Sequence, residues 1–80
     1  MTSYLIKTRA GKFYEVLAKA EEWFINFKGA KKKVKALGEN GQLEKGGRVY
    51  FHLREDKIMR TQPIVDIYKK LWYFSRKKRN

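Results

Sequence analysis

The sequence predicts a small two-layer α+β domain, with an antiparallel sheet of three to four strands and two helices in the order β-α-β-β-(β)-α. Three observations carry that expectation. Apolar residues between Lys12 and Lys28 recur at three- and four-residue spacing, as on one face of a helix. Residues 48–54 alternate polar and apolar, as in a strand. A second broad apolar face follows Pro63. Helices flanking an antiparallel sheet pack as two layers around one core.

The first strand is expected at Ser3–Arg9, "SYLIKTR", and Ala10-Gly11 breaks it. The first helix follows from Lys12, with Phe13, Val16, Leu17, Ala20, Phe24 and Phe27 as its apolar stripe. Glu15, Glu21 and Glu22 fall off the stripe, and Gly29 is placed to end the helix as its C′ residue. Residues 30–37, "AKKKVKAL", fit a strand with Val34 and Ala36 inward and Lys33 and Lys35 outward. They also fit a short helix pairing Val34 with Leu37 and capped by Gly38. The "ENGQ" at 39–42 favours the strand, because Asn-Gly is a strong hairpin signal.

Gly46-Gly47 supplies a further turn before the central strand, "RVYFHLR". There Val49, Phe51 and Leu53 share the core face, and Arg48, Tyr50, His52 and Arg54 share the other. Glu55-Asp56 turns the chain into "KIMR", a short edge strand. Thr61 or Gln62 would cap the last helix, with Pro63 in its first turn and Ile64, Ile67, Tyr68, Leu71, Trp72 and Phe74 on its apolar face. The aromatics Phe13, Phe24, Phe27, Tyr68 and Trp72 are expected in the core, while Trp23 falls near the edge of its stripe and Tyr73 off its own, so that either could be exposed. No linker, repeat or low-complexity segment divides the chain, so residues 1–80 are expected to form a single domain with a frayed basic end at 76–80.

Charge is the dominant global property. Twenty Lys and Arg against eight Asp and Glu give a net charge of +12 in 80 residues. Such a field attracts polyanions and speeds their encounter. The chain has no cysteine, which removes disulfides and thiolate metal sites and fits a reducing compartment. Apolar runs are too short to span a bilayer, and no apolar segment of signal-peptide type follows Met1. A cytoplasmic protein with no membrane partner, cofactor or metal is expected.

Enzyme chemistry has little to build on. His52 is the only histidine, so no two-histidine metal site is possible. Glu21-Glu22 has the pattern of solvated surface and Glu55-Asp56 that of a turn. No P-loop-type glycine run is present. One catalytic alternative survives: metal-free RNA cleavage of the toxin type, with His52 as base and Arg48, Arg54, Tyr50 and Glu55 around it.

Three basic clusters point instead to binding. Lys31, Lys32, Lys33 and Lys35 form the first; a solvated strand edge is their ordinary explanation. Arg76, Lys77, Lys78 and Arg79 form the second, and opposition to a helix dipole accounts for one or two of them. Arg48, Tyr50, His52 and Arg54 form the third, in which guanidinium and ring planes could stack on bases or reach phosphates. A sheet carrying a C-terminal helix resembles, at fold level alone, small DNA-binding domains that lay a sheet in the major groove. The sequence-based expectation is a non-enzymatic nucleic-acid-binding protein, with RNA or single-stranded DNA ahead of duplex DNA. A basic regulatory protein docking on an acidic protein partner is the rival.

Overall fold

A computed structural model describes residues 2–69, and all regular structure in them is β. Seven strands run β1 (Thr2–Thr8), β2 (Phe13–Lys19), β3 (Glu22–Phe27), β4 (Ala30–Leu37), β5 (Val49–Arg54), β6 (Lys57–Arg60) and β7 (Ile64–Lys69). Every pairing is antiparallel, and the sheet order is β6-β5-β4-β3-β2-β1-β7. Neither expected helix is present among the described residues. The α+β class and the β-α-β-β-(β)-α order are therefore replaced by an all-β meander.

The first helix is a hairpin. Strands β2 and β3 are joined by Ala20 and Glu21, with φ of 50° and 67°. Positive φ at both central residues is the geometry of a tight hairpin whose twist matches its strands. The next connection, Lys28-Gly29, repeats it with φ of 52° and 81°. Gly29 was expected to close a helix; the same left-handed freedom turns a hairpin instead. Within β2 and β3, Tyr14, Val16 and Ala18 face inward, opposed across the hairpin by Ile25 and Trp23. Aromatic and β-branched residues suit such a half-buried pleated surface.

The strands expected at the N-terminus, at 30–37, in the central segment and at "KIMR" are all present. The Asn-Gly pair does not make a short hairpin; Asn40 and Gly41 lie in the longer connection 38–48, where Asn40 Nδ2 donates to Glu44 Oε1 at 2.8 Å. The segment expected as the start of the second helix is β7, and its expected members Leu71, Trp72 and Phe74 lie outside the described residues.

The sheet curls into a half-barrel because its two edge strands are continuous in the chain. β6 borders β5, β7 borders β1, and only 61–63 separate them. At that corner Thr61 N donates to Val49 O at 3.0 Å, Ile64 N to Gly47 O at 2.9 Å, and Arg9 N to Pro63 O at 2.8 Å. The concave side holds the core: Ile6, Val16, Ile25, Leu37, Val49, Phe51 and Ile64 are buried. Tyr14, Trp23, Phe27, Val34, Met59 and Ile67 pack around them. Phe27 lies on Phe51 with ring centroids 5.1 Å apart, and Tyr4 stacks on Trp23 at 5.8 Å. Trp23 therefore joins the packed interior. Phe13 and Tyr68, expected in the core, are exposed, and Phe24 is half-buried on the convex side.

Candidate nucleic-acid interface

Charge is divided unevenly between the two halves of the sheet. Strands β4, β5 and β6 carry Lys31, Lys32, Lys33, Lys35, Arg54, Lys57 and Arg60 and no carboxylate. Strands β1, β2, β3 and β7 balance Lys7, Lys19 and Lys69 against Glu15, Glu22 and Asp66. Within the strands, one half of the sheet is thus strongly basic and the other balanced, while the connections 38–48 and 55–56 add Glu39, Glu44, Glu55 and Asp56 beside the basic strands.

Register decides which of these side chains share the convex face. Ile25 opposes Lys32 and Phe24 opposes Lys33, so Lys31 and Lys33 point outward and Lys32, half-buried, lies on the core side. A register shift between Val34 and Ala36 keeps Leu37 inward and leaves Lys35 and Ala36 exposed. Ala36 was expected inward; the bulge reverses it, because one extra residue in a strand exchanges the faces of everything beyond it. On β5, Val49 and Phe51 are buried, while Tyr50 and His52 stand outward, half-buried, opposite Arg60 and Ile58 of β6. The recorded pairing of β4 with β5 begins at Val34, opposite Phe51.

The convex face of β4, β5 and β6 therefore presents Lys31, Lys33, Lys35, Tyr50, His52 and Arg60 together, with Phe24 at its border. Lys31 Nζ stands 5.5 Å from the centre of the Phe24 ring, a cation held against an aromatic face. Carboxylates border the patch on two sides: Glu39 and Glu44 line a cleft with Tyr50, and Glu21 and Glu22 line one with Lys33 and Lys35.

Besides Lys32, two expected members are placed otherwise. Arg48 is half-buried and its Nη1 donates to Thr61 O at 3.2 Å, so it braces the barrel corner. A second register shift, between His52 and Arg54, interrupts the alternation and sets Arg54 opposite Lys57 at the hairpin end. There Arg54 Nε meets Asp56 Oδ1 at 3.3 Å, both side chains being exposed; such a pair contributes little to stability. Arg76, Lys77, Lys78 and Arg79 lie outside the described residues. Arg60, and Lys57 beside the patch, were not singled out in the sequence. The signal was the absence of any carboxylate from three successive strands, which a count of local clusters does not register.

The residues of the catalytic alternative are spread along one strand. Arg48 precedes β5 and Arg54 ends it, about 20 Å away on extended backbone. Ser3 Oγ donates to Glu15 Oε2 at 2.9 Å on the other half of the sheet. No helix among the described residues is long and apolar enough to cross a membrane. Comparisons with protein-family models, with curated proteins and with solved structures found no match.

Proposed function

We propose that the protein binds nucleic acid on the convex face of β4, β5 and β6, with Lys31, Lys33, Lys35 and Arg60 neutralising phosphates. The observation that carries this is the segregation of seven cations and no carboxylate onto three adjacent strands. Aligned cations at strand spacing match a polyanion's repeated charges, and each neutralised phosphate releases condensed counterions. Tyr50, His52 and Phe24 interleave with them, and ring planes among phosphate-binding cations favour a single strand whose bases can stack.

An acidic protein partner is the less favoured ligand. Protein interfaces centre on buried apolar or aromatic anchors. On the basic half the exposed large apolar residue is Ile58, whereas Phe13, Val65 and Tyr68 lie on the other half.

Fluorescence anisotropy of a labelled single-stranded oligonucleotide, titrated at several salt concentrations, tests the proposal. With about four phosphates contacted, the log–log slope is near −3 for a single strand and near −4 for duplex DNA. A slope near zero rejects phosphate neutralisation as the mechanism.

A further inference from the structure

The half-barrel does not close along its whole length, and the open seam is lined in an unusual way. Between β6 and the β1–β2 turn runs a cleft of about 240 Å³ that reaches down to Phe51. It adjoins an outer cleft of about 540 Å³ that ends at Phe13 and Lys28. Tyr14, Phe27, Lys12 and Met59 belong to both. The rings of Tyr14 and Phe27 are nearly parallel, at 22° with centroids 6.2 Å apart, and Phe27 leans on Phe51 beneath. The cations at the rim are Lys12, Lys28 and Arg60, and no carboxylate lines either cleft. Two other clefts differ: one holds Glu39 and Glu44, another Glu21 and Glu22.

We propose that this seam receives one nucleobase of the bound strand. This rests on the nucleic-acid function proposed above and adds where a base would be held. A base is flat and apolar on its faces, polar at its edge and tethered to an anion. The seam offers aromatic walls, the exposed Gln62 amide at its lip, and cations without carboxylates around it. A neutral apolar ligand would use the walls and leave the cations without partners. Arg60 links the two surfaces, because it pairs with Tyr50 on the convex sheet and also lines the seam. A strand lying across β4 to β6 can therefore turn one nucleotide over the β6 edge. Stacking of one base on such walls is worth about 1–3 kcal/mol, or roughly 5- to 150-fold in affinity.

The test compares a thymidine decamer with an abasic decamer of the same length and charge, by anisotropy at one salt concentration. Wild-type protein should bind the thymidine oligonucleotide at least about fivefold more tightly. Tyr14→Ala should reduce that preference by about fivefold or more and leave abasic binding unchanged, while Lys31→Glu with Lys33→Glu weakens both. Because Tyr14→Ala can also loosen the fold, the Met59 methyl resonance of wild-type protein provides an independent measurement. It should shift upfield, from the ring current of the base, with the thymidine decamer and not with the abasic one. Equal binding of the two oligonucleotides with an unmoved Met59 methyl overturns the seam and leaves the phosphate surface standing. A preference abolished by Tyr50→Ala but not by Tyr14→Ala, again with Met59 unmoved, puts the base on the convex face and also overturns it. Binding of neither oligonucleotide overturns both proposals.

Discussion

Val49 and Thr61 hold each other by reciprocal hydrogen bonds: Thr61 N donates to Val49 O at 3.0 Å, and Val49 N donates to Thr61 Oγ1 at 3.1 Å. The same hydroxyl donates to Gln62 O at 2.9 Å. Both residues are buried. Here the chain leaves one edge of the sheet and begins the other, so the pair fastens the curl of the half-barrel. Arg48 adds a contact from outside by donating to the Thr61 carbonyl.

Thr61→Val keeps the shape and removes the acceptor for a buried N–H. An unsatisfied buried donor costs about 1–3 kcal/mol. Urea denaturation should show that loss, and the Val49 amide should exchange with solvent much faster in native-state hydrogen exchange. Thr61→Ser loses a methyl group but keeps the oxygen, so the Val49 amide should stay protected. Equal protection in both variants would show that the hydroxyl does not hold this corner.

The Ala20-Glu21 turn stores backbone strain. Both residues have positive φ, at 50° and 67°, and neither is glycine or asparagine. A non-glycine residue in this region costs about 1–2 kcal/mol. Glu21→Gly should therefore stabilise the protein by about 1 kcal/mol, partly offset by the greater freedom of glycine in the unfolded chain. Gly29→Ala should do the opposite: no atom lies within 4 Å of an added Cβ, yet φ of 81° is poorly tolerated by alanine. Thermal melting of the two variants should move in opposite directions.

Charge position can be separated from total charge. Lys31→Glu with Lys33→Glu changes the net charge by the same amount as Lys7→Glu with Lys19→Glu on the neutral half. Only the first pair should flatten the salt slope, by about 0.7 per lost contact on a single strand. Tyr50→Ala should weaken single-strand binding by about 1–3 kcal/mol and leave duplex binding nearly unchanged. Equal effects of the two lysine pairs would mean that overall field, rather than the convex face, attracts the ligand.

The central strand was legible in the sequence because its alternation is strict where the core needs it: Val49 and Phe51 are buried as expected. So was "AKKKVKAL" as a strand, down to the outward Lys33 and Lys35. The region from Lys12 to Lys28 was not. Two seven- and six-residue strands joined by a two-residue turn place apolar side chains at spacings of three and four across the turn, which imitates a helix. The turn itself has none of the residues that announce one. What was informative was the density of aromatic and β-branched residues in "FYEVL" and "EWFINF", a composition that suits strands. Alternation placed Tyr50 and His52 on the outward face, but two bulges moved Ala36 and Arg54, and bulges leave little trace in a single sequence. The contact of Arg48 with the Thr61 carbonyl was not legible, because it lies across a barrel corner that the helical expectation did not contain.

Two substitutions in that misread region separate the hairpin from the helix. On a helix, Phe13 begins the apolar stripe and Ile25 lies off it. In the half-barrel the order is reversed: Phe13 is 53% exposed and Ile25 is 0% exposed, between Val16 and the stem of Lys32. Ile25→Ala should cost about 2–5 kcal/mol by opening a cavity in the core, enough to unfold much of a domain this small. Phe13→Ala should change stability by no more than about 0.5 kcal/mol, as exposed substitutions usually do. Chemical denaturation of the two variants measures the difference, and far-UV circular dichroism of the wild-type protein supplies a second check, since 12–28 as strands contribute no helical minimum. A large loss for Phe13→Ala with a small one for Ile25→Ala would restore the helix and remove the sheet on which the basic face depends.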